Sequence, residues 1–389
     1  MTIPTRRALG AALVLAVASH AQAQRPAPKP AAKSVRPAPA APGVRAALPP
    51  AWSVAFSPDS NRLAIGGYRS VTVWSVNEGT KAAQWEVTKD AVRALAYSPD
   101  GRYLAVGGGA PGVDGVLLLL DARTGQTVRS IPAHEDTVEA VAFAGDVLLS
   151  AGDDERVVLT EIATGKKVGS LTEHVGRCLA VAVPLRTSEG SGGAIFATGG
   201  DDKMVKIWDA ELRRVVVNFD QSGGPVWAVA PFPQPGRFAA AGGDGSVRLF
   251  QVRADRPGGA NPDDPGAANK PETGLDIKVV LRKGEPAPRT GALAATLTGH
   301  NGPVYAVAVA RNGNWIASGG ADRKVVVWNG AGGRVREHTE ATSDIWGLAI
   351  SPNSRWLAAS SRDGKVRVYD LADGTLAREF PPPPKGIAK

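Results

Sequence analysis

The fold is decided by the stretch Gly299-His-Asn-Gly-Pro-Val-Tyr-Ala-Val-Ala-Val-Ala-Arg-Asn-Gly-Asn-Trp-Ile-Ala-Ser-Gly-Gly-Ala-Asp-Arg-Lys-Val-Val-Val-Trp328. Apolar residues alternate at period two from Val304 to Val309, turn residues follow, and Trp315 begins a second extended run. A second turn of Gly-Gly-Ala-Asp leads to a third run that ends at Trp328. The pattern predicts three short antiparallel strands joined by tight turns.

This stretch resembles the repeat of the WD-repeat (WD40) family, and four residues carry the resemblance: His300, Ser318, Asp322 and Trp328. In that family the Asp accepts a hydrogen bond from the His, and the Ser and Trp extend the network. A buried charge-assisted bond of this kind contributes roughly 1.5 to 3 kcal/mol. The resemblance therefore implies a structural tetrad and not a catalytic one.

The unit recurs along the chain. First strands are predicted to begin near Ala51, Val92, Val138, Cys178, Val226, Val304 and Ile345. Small residues beside β-branched ones suit the crowded inner strands of a propeller, and a period above forty residues indicates four strands per blade. We therefore predict an all-β, seven-bladed β-propeller of four-stranded antiparallel blades over residues 51–380.

The tetrad is kept unevenly between the copies. The third and fourth copies supply His134, Ser150, Asp154, His174, Thr198, Asp202 and Trp208. Thr160 stands where the third copy would have Trp. Three other copies keep the turn Asp, at Asp114, Asp244 and Asp363, but have no His at the matching position. The first copy has Tyr68 in the Asp position, although Trp74 remains. We expect the first and seventh copies to be held less rigidly.

Residues 1–23 have the three regions of a secretory signal: Arg6 and Arg7, an apolar run, and a small-residue cleavage site that ends at Ala23. The alternative is a disordered or buried N-terminal helix. Twin-arginine export is not favoured, because Gly10 departs from its pattern. We expect an extracytoplasmic protein, periplasmic or secreted, of bacterial style. No other apolar run is long enough to span a bilayer.

The positive charge lies at the ends of the chain. Residues 24–50 form a Pro/Ala/Lys-rich linker that we expect to be disordered, and residues 381–389 form a Pro-rich tail. Residues 51–380 carry 36 Lys and Arg against 37 Asp and Glu, so the net charge of +8 comes from the ends. This distribution gives little support for a nucleic-acid partner, and we expect none.

Residues 253–290 interrupt the fifth copy between its third and fourth strands. Within them, 275–282 has strand character and predicts either a hairpin on the face opposite the His-bearing loops or an excursion without a role. At the end of the chain, 375–380 is favoured as the strand that completes the last blade. Residues 44–48 are the alternative.

Candidate groups for catalysis are few. Three of the four His after residue 23 belong to tetrads, and His338 is expected to be solvated or bound in a turn. Cys178 is the only Cys and should be a buried, inert thiol. Residues 121–125 resemble a turn of quinoprotein-like propellers, but the aromatic residue that docks neighbouring blades in that family does not follow the turn. Only Trp85 lies in a place of that kind. We therefore predict no catalytic residue, cofactor or metal.

A partner site has better support. In the family, the residue after the start of each first strand points to the channel rim on the His-bearing face. Those positions are Trp52, Arg93, Glu139, Leu179, Trp227, Tyr305 and Trp346. Exposed aromatic and Arg side chains around a depression are typical of interaction hot spots. With the flanking charges, the predicted partner-binding residues are Trp52, Arg93, Arg177, Trp227, Tyr305, Asp344, Trp346 and Arg362.

The predicted function is a monomeric, non-catalytic scaffold that binds another protein or peptide on the His-loop face. Two alternatives remain open: a small-ligand or glycan binder that uses the same aromatic residues, and an enzyme with a site in the channel. For the enzyme, only Glu139 offers a carboxylate at the rim. The aromatic rings could also simply fill gaps between blades.

Overall fold

The computed structural model describes residues 50–184, 195–211, 213–254 and 289–382. In these residues the chain forms 27 β-strands in six antiparallel sheets. The first sheet contains β1 (Ser53–Phe56), β2 (Arg62–Gly66), β3 (Tyr68–Ser75), β4 (Lys81–Tyr97), β5 (Tyr103–Gly108), β6 (Val116–Asp121) and β7 (Thr127–Ile131).

The other five sheets have four strands each, which pair in chain order. The second and third contain β8 (Val138–Ala144), β9 (Val147–Gly152), β10 (Val157–Glu161), β11 (Lys167–Leu171), β12 (Cys178–Ala182), β13 (Ile195–Gly200), β14 (Val205–Asp209) and β15 (Arg214–Phe219). The last three contain β16 (Val226–Pro231), β17 (Arg237–Gly242), β18 (Ser246–Ala254), β19 (Arg289–Thr298), β20 (Val304–Val309), β21 (Trp315–Gly320), β22 (Val325–Asn329), β23 (Arg334–His338), β24 (Ile345–Ile350), β25 (Trp356–Ser361), β26 (Val366–Asp370) and β27 (Leu376–Phe380).

The first sheet differs from the prediction of separate four-stranded blades. Strand β4 is 17 residues long, and it pairs with β3 through its first half and with β5 through its second half. No Gly or Pro lies between Trp85 and Val92 to end the extended backbone. The all-β fold of four-stranded antiparallel sheets is thus confirmed for five sheets, whereas the first sheet has seven strands.

The predicted starts of the first strands agree closely with the structure. Observed strands begin at Val138, Cys178, Val226, Val304 and Ile345. Of the two remaining starts, Ala51 lies two residues before β1, and Val92 lies inside β4.

The innermost strands follow one another in order, and β1 contacts β24. At this junction the Ala51 amide donates to the Ser361 carbonyl at 3.3 Å, and the Asn353 amide donates to Ser60 Oγ at 3.1 Å. Strand β27 is the outer strand of the last sheet, so the preference for a C-terminal strand is confirmed. The alternative, residues 44–48, lies outside the described residues.

The core lies between neighbouring sheets. Central strands are buried on both faces, so they are nearly continuous apolar runs, as in Leu117–Leu120 of β6. Aromatic pairs join elements across the core: Trp74 of β3 stacks on Phe380 of β27 at 4.7 Å between ring centroids. This contact links the first sheet to the last.

Several predictions concern residues outside the described ranges. These are the signal (1–23), almost all of the linker (24–50), most of the tail (381–389) and the predicted hairpin (275–282). Strands β18 and β19 flank residues 255–288, and Ala254 pairs with Arg289. Across the described ranges, no helix has the length and apolar character needed to cross a bilayer.

Candidate partner-binding surface at the inner strands

The turn Asp of three sheets is held by a buried His. His134 Nδ1 lies 2.8 Å from Asp154 Oδ1, and its Nε2 lies 2.8 Å from Ser150 Oγ. In the two other sheets, the His–Asp distances are 2.9 Å for His174–Asp202 and 3.0 Å for His300–Asp322. Hydrogen bonds and burial oppose each other at these carboxyls, and the net effect is a lowered pKa for Asp154, Asp202 and Asp322.

Two of these networks include a Trp. Nε1 of Trp208 donates to Thr198 Oγ1 at 2.8 Å, and Nε1 of Trp328 donates to Ser318 Oγ at 2.9 Å. Both indole rings are almost fully buried, so the hydrogen bond satisfies a donor that burial would otherwise leave unpaired. The tetrads thus tie the second turn to the loop before the inner strand.

The turn Asp also accepts a backbone N–H from the loop before the inner strand. The donors are the amides of Glu135, Val175, Gly223, Asn301 and Thr342, which bind Asp154, Asp202, Asp244, Asp322 and Asp363 respectively. Sheets with and without a His share this bond. In these five sheets the Asp is therefore the constant part of the arrangement.

Two sheets replace the His by an Arg, which sequence reasoning missed. Arg248 binds Asp244 at 2.6 Å, and Arg367 binds Asp363 at 3.1 Å. Arg367 is almost fully buried and also lies 3.2 Å from Glu379. The signal that could have found both is an Arg four residues after the turn Asp, on the next strand. The expectation that the seventh copy is less rigid overlooked this bridge.

Two other predictions about single residues have different outcomes. His338 is the last residue of β23 and is buried, with its ring 4.0 Å from that of Tyr369, so the expectation of a solvated or turn-bound His was wrong. Burial lowers the pKa of His338. Cys178 is buried as predicted, and burial raises the pKa of its thiol to about 12.

A β-bulge marks nearly every predicted rim position. The pairing register of the inner strand shifts at Arg93, Glu139, Leu179, Trp227, Tyr305 and Trp346. Trp52 lies immediately before β1, and its amide donates to the Gly66 carbonyl at 2.8 Å. A bulge leaves one residue outside the ladder and redirects its side chain. Unlike the other rim residues, which are partly exposed, Leu179 is buried.

The four rim aromatics form two pairs. Trp52 and Trp346 lie 4.1 Å apart between ring centroids, with their planes tilted by 30°. Trp227 and Tyr305 meet edge to face at 5.5 Å. All four side chains are partly exposed. The first pair joins the two ends of the chain's β-structure, since Trp52 precedes β1 and Trp346 belongs to β24.

Arginines flank both pairs. The guanidinium of Arg93 lies 5.0 Å from the Trp52 ring, and that of Arg362 lies 5.8 Å from the Trp346 ring. Arg177 lies 6.0 Å from the Trp227 ring. These distances are within the range of cation–π attraction. We call these four aromatics and three arginines the rim cluster.

An acidic sector lies next to the rim cluster. Glu139 is 3.2 Å from Arg93, and Asp201 is 2.6 Å from Arg177. Burial raises the pKa of Glu139 to about 7 against the attraction of Arg93, so this carboxyl changes charge near neutral pH. Burial also raises the pKa of Asp153, and Arg177 opposes this shift.

Backbone bonds bring the flanking charges to the rim. The Arg362 amide donates to the Asp344 carbonyl at 2.9 Å, which places Arg362 at the start of β24. Two indole nitrogens near the rim, Nε1 of Trp52 and Nε1 of Trp227, are buried and donate no hydrogen bond to any described residue.

Other kinds of site have less support in the described ranges. There, no group of three or more His, Cys, Asp or Glu side chains converges as metal ligands. Trp85 does pack on the quinoprotein-like turn, since a Cβ at Gly125 would lie 2.3 Å from its ring. That contact joins two elements of the fold.

Comparison with protein families agrees with this architecture. The model described as "WD domain, G-beta repeat" matches residues 165–209, 213–251, 291–329 and 332–370. The model described as "Anaphase-promoting complex subunit 4 WD40 domain" matches residues 54–146. Together the matches cover more than half of the chain.

Curated relatives are distant and come from eukaryotes. Pre-mRNA-processing factor 19 of Bos taurus is 25% identical over 175 residues, which are 44% of this chain and 33% of that protein. The guanine nucleotide-binding protein subunit beta of Arabidopsis thaliana is 23% identical over 296 residues, 72% of this chain and 68% of that protein. Its yeast counterpart is 24% identical over 203 residues, 51% of this chain and 48% of that protein. The match to pre-mRNA-processing factor 19 thus spans about a third of that protein's length.

Proposed function

Because the chain belongs to the WD40-repeat family, we propose that it is a non-catalytic scaffold whose rim cluster binds another protein or a peptide. The observation that carries the proposal is the series of bulges that turns Trp and Tyr side chains out of the inner strands, where a propeller core would accept aliphatic residues. Two relatives are named as subunits of a guanine nucleotide-binding protein, which is a protein assembly.

The composition of the rim cluster suits such a partner. Aromatic and Arg side chains dominate interaction hot spots, because each buries a large area and still offers a polar group. Asp344 and Arg362 add charges of both signs at the edge, which favours a defined orientation.

We also propose that the propeller has seven blades. The two halves of β4 pair with different strands, so the first sheet can be divided into two units that share one continuous strand. Counting this sheet twice and the other five once gives seven. The contact between β1 and β24 supports a closed ring.

The remaining features of the proposal come from the sequence. We propose that residues 1–23 direct export and are removed near Ala23, that the chain works as a monomer in an extracytoplasmic bacterial compartment, and that nucleic acid is not its partner. Cell fractionation followed by N-terminal sequencing of the purified protein tests the export step. A cytoplasmic protein that keeps residues 1–23 would contradict it.

The rim cluster is tested by affinity capture. The chain is compared with a variant in which Trp52, Trp227, Tyr305 and Trp346 are all Ala, after circular dichroism has shown that both are folded. A matched control replaces Tyr68, an aromatic outside the cluster that is 43% exposed. A protein retained by the parent and the Tyr68→Ala control but lost by the rim variant supports the proposal.

Once a partner is identified, single substitutions give the energetic test. A hot-spot aromatic contributes about 2 kcal/mol or more, so Trp227→Ala should weaken binding by about thirtyfold. Equal capture by the parent and the rim variant would contradict the proposed surface.

One observation favours a second candidate, an enzyme or small-ligand binder with its site in the channel. Glu139 has a pKa of about 7, which suits a general acid or base at neutral pH. For this candidate, Glu139→Gln should abolish turnover or binding of a small molecule and leave protein capture unchanged. Loss of protein capture in the rim variant with no effect of Glu139→Gln favours the scaffold.

A further inference from the structure

A second concave site lies on the opposite side of the molecule from the rim cluster. It is an open cleft of about 700 Å³ between the fourth sheet, which contains β16 to β19, and the fifth, which contains β20 to β23. Arg237 and Trp315 line it, and each is the first residue of its strand. Those strands end beside the turn residues Asp244 and Asp322, so the cleft lies at the ends away from the tetrads.

Among the described residues that line the cleft, Arg237 alone carries a charge. It is partly buried, and within the described residues no carboxylate forms a salt bridge with it. By contrast, Arg248 and Arg367 each bind the turn Asp of their sheet. Burial lowers the pKa of Arg237, with no acid to oppose the shift. An anionic ligand that reaches this guanidinium would supply the counterion.

The guanidinium is held in place before any ligand arrives. Its Nη2 donates to the Gly330 carbonyl at 2.8 Å, across the boundary between the two sheets. Its centre lies 4.2 Å from the Phe232 ring. These contacts fix the plane of the guanidinium, while Nε and Nη1 make no hydrogen bond to any described residue. A fixed planar donor set is well suited to a carboxylate.

The other walls combine amides with apolar surface. Asn314 is exposed, and its side chain makes no hydrogen bond within the described ranges. Asn329 Oδ1 accepts the amides of Ala331 and Gly333, which leaves its Nδ2 as a donor. Trp315 contributes an aromatic wall, and Val335, which is 43% exposed, contributes an apolar one. The amides match hydroxyl groups, and the apolar walls match a ring with an apolar face.

We propose that this cleft binds a uronate, which is a pyranose ring that carries one carboxylate. The carboxylate would bind Arg237, the hydroxyl groups would bind the amides of Asn314 and Asn329, and the ring would pack on Trp315. The cleft volume lies within the range of small-ligand sites, about 300 to 1,000 Å³. The site is separate from the rim cluster and independent of the proposed function.

The test is calorimetric titration of the full chain with sodium glucuronate, glucose and sodium acetate. We expect glucuronate to bind with a millimolar dissociation constant. Glucose lacks the carboxylate and acetate lacks the ring, so each should bind at least about tenfold more weakly. Equal binding of acetate, or no heat with glucuronate at 20 mM (roughly twentyfold above that constant), would overturn the proposal. An oligomer of uronate as a fourth titrant distinguishes a polysaccharide end from the free sugar.

Variants connect the binding to the cleft. Arg237→Gln should weaken glucuronate binding at least about tenfold, because a charged hydrogen-bond pair is lost. Arg102→Gln is the matched control, since Arg102 also lies over an aromatic ring, at 5.4 Å from Tyr103, but does not line the cleft.

Asn314→Ala keeps the test valid if Arg237→Gln fails to fold. Its side chain supports no other described residue, so the variant should keep the parent's Tm and bind glucuronate about threefold to tenfold more weakly. Glucuronate binding that survives both substitutions would place the sugar elsewhere and refute the assignment.

Discussion

In five sheets a side chain binds the turn Asp, and this side chain is a His in three sheets and an Arg in two. We call them the His-clamped and the Arg-clamped sheets. In the sheets that contain β8, β12 and β20, the turn Asp receives a His ring from the preceding loop, whereas in those that contain β16 and β24 it receives an Arg from the following strand. Both arrangements keep the bond from the loop amide to the Asp. The comparison shows that the Asp is common to these five sheets, whereas the side chain that binds it differs between them.

The largest effect should come from removing the more buried Arg. Arg367→Met leaves Asp363 and Glu379 without their shared partner, so we expect the free energy of unfolding to fall by about 4 kcal/mol. Arg248→Met should lower it by about 2 kcal/mol, because Arg248 is more exposed and binds one carboxylate. Urea denaturation followed by Trp fluorescence measures both. A loss below about 0.5 kcal/mol for Arg367→Met would show that the clamp is not structural.

In a His-clamped sheet, the Asp itself is the informative position. Asp322→Ala removes the acceptor of His300, of the Asn301 amide and of the Lys324 amide, so we expect a loss of about 3 kcal/mol in the same assay. Asp373→Ala in an exposed turn is the control and should leave the denaturation midpoint unchanged. If Asp322→Ala behaves like the control, the tetrad does not stabilise the fold.

The bond between Arg248 and Asp244 also predicts that the stability of the folded state depends on pH in the acid range. Bonds from Arg248 and two backbone amides outweigh the opposing effect of burial and lower the pKa of Asp244 from 3.8 to about 2. A carboxyl with a lowered pKa stabilises the folded state above its unfolded pKa and loses that contribution as the pH falls through the folded value. Asp244→Asn should therefore cost about 2 kcal/mol at pH 7 and progressively less from about pH 4 to pH 2. A cost that stays constant over this range would show that the charge is not involved.

The smallest effect is expected where no clamp exists. Tyr68 occupies the turn-Asp position of the first sheet, and Arg69 after it has a left-handed φ of 67°, as Arg323 has after Asp322. Tyr68→Asp restores the carboxylate without a His or Arg, so we expect a change within about 0.5 kcal/mol. A clear gain in the denaturation midpoint would mean that the Asp needs only backbone amides, and the role assigned to Arg and His would have to be reduced.

The sequence predicted the repeats well, but it did not reveal where another residue type replaces the His within a repeat. Local alternation and turn residues located the inner strands, because both depend on residues adjacent in the chain. The Arg residues that bind Asp244 and Asp363 were missed although each lies only four residues after its Asp, because the family's pattern pairs the Asp with a His before the inner strand. His338 was misjudged because Tyr369, on which it stacks, lies 31 residues away in the sequence.

By itself the sequence determined the repeat, the tetrad residues and the positions of the rim aromatics, since these follow from short-range patterns. Tertiary structure decided which rim residues meet. Trp52 contacts Trp346, 294 residues away, because β1 packs beside β24. It also created the cleft at Arg237, whose walls come from separate sheets and leave no local signal in the sequence. Local patterns fix strands and turns, whereas the pairing of distant surfaces depends on how the sheets pack.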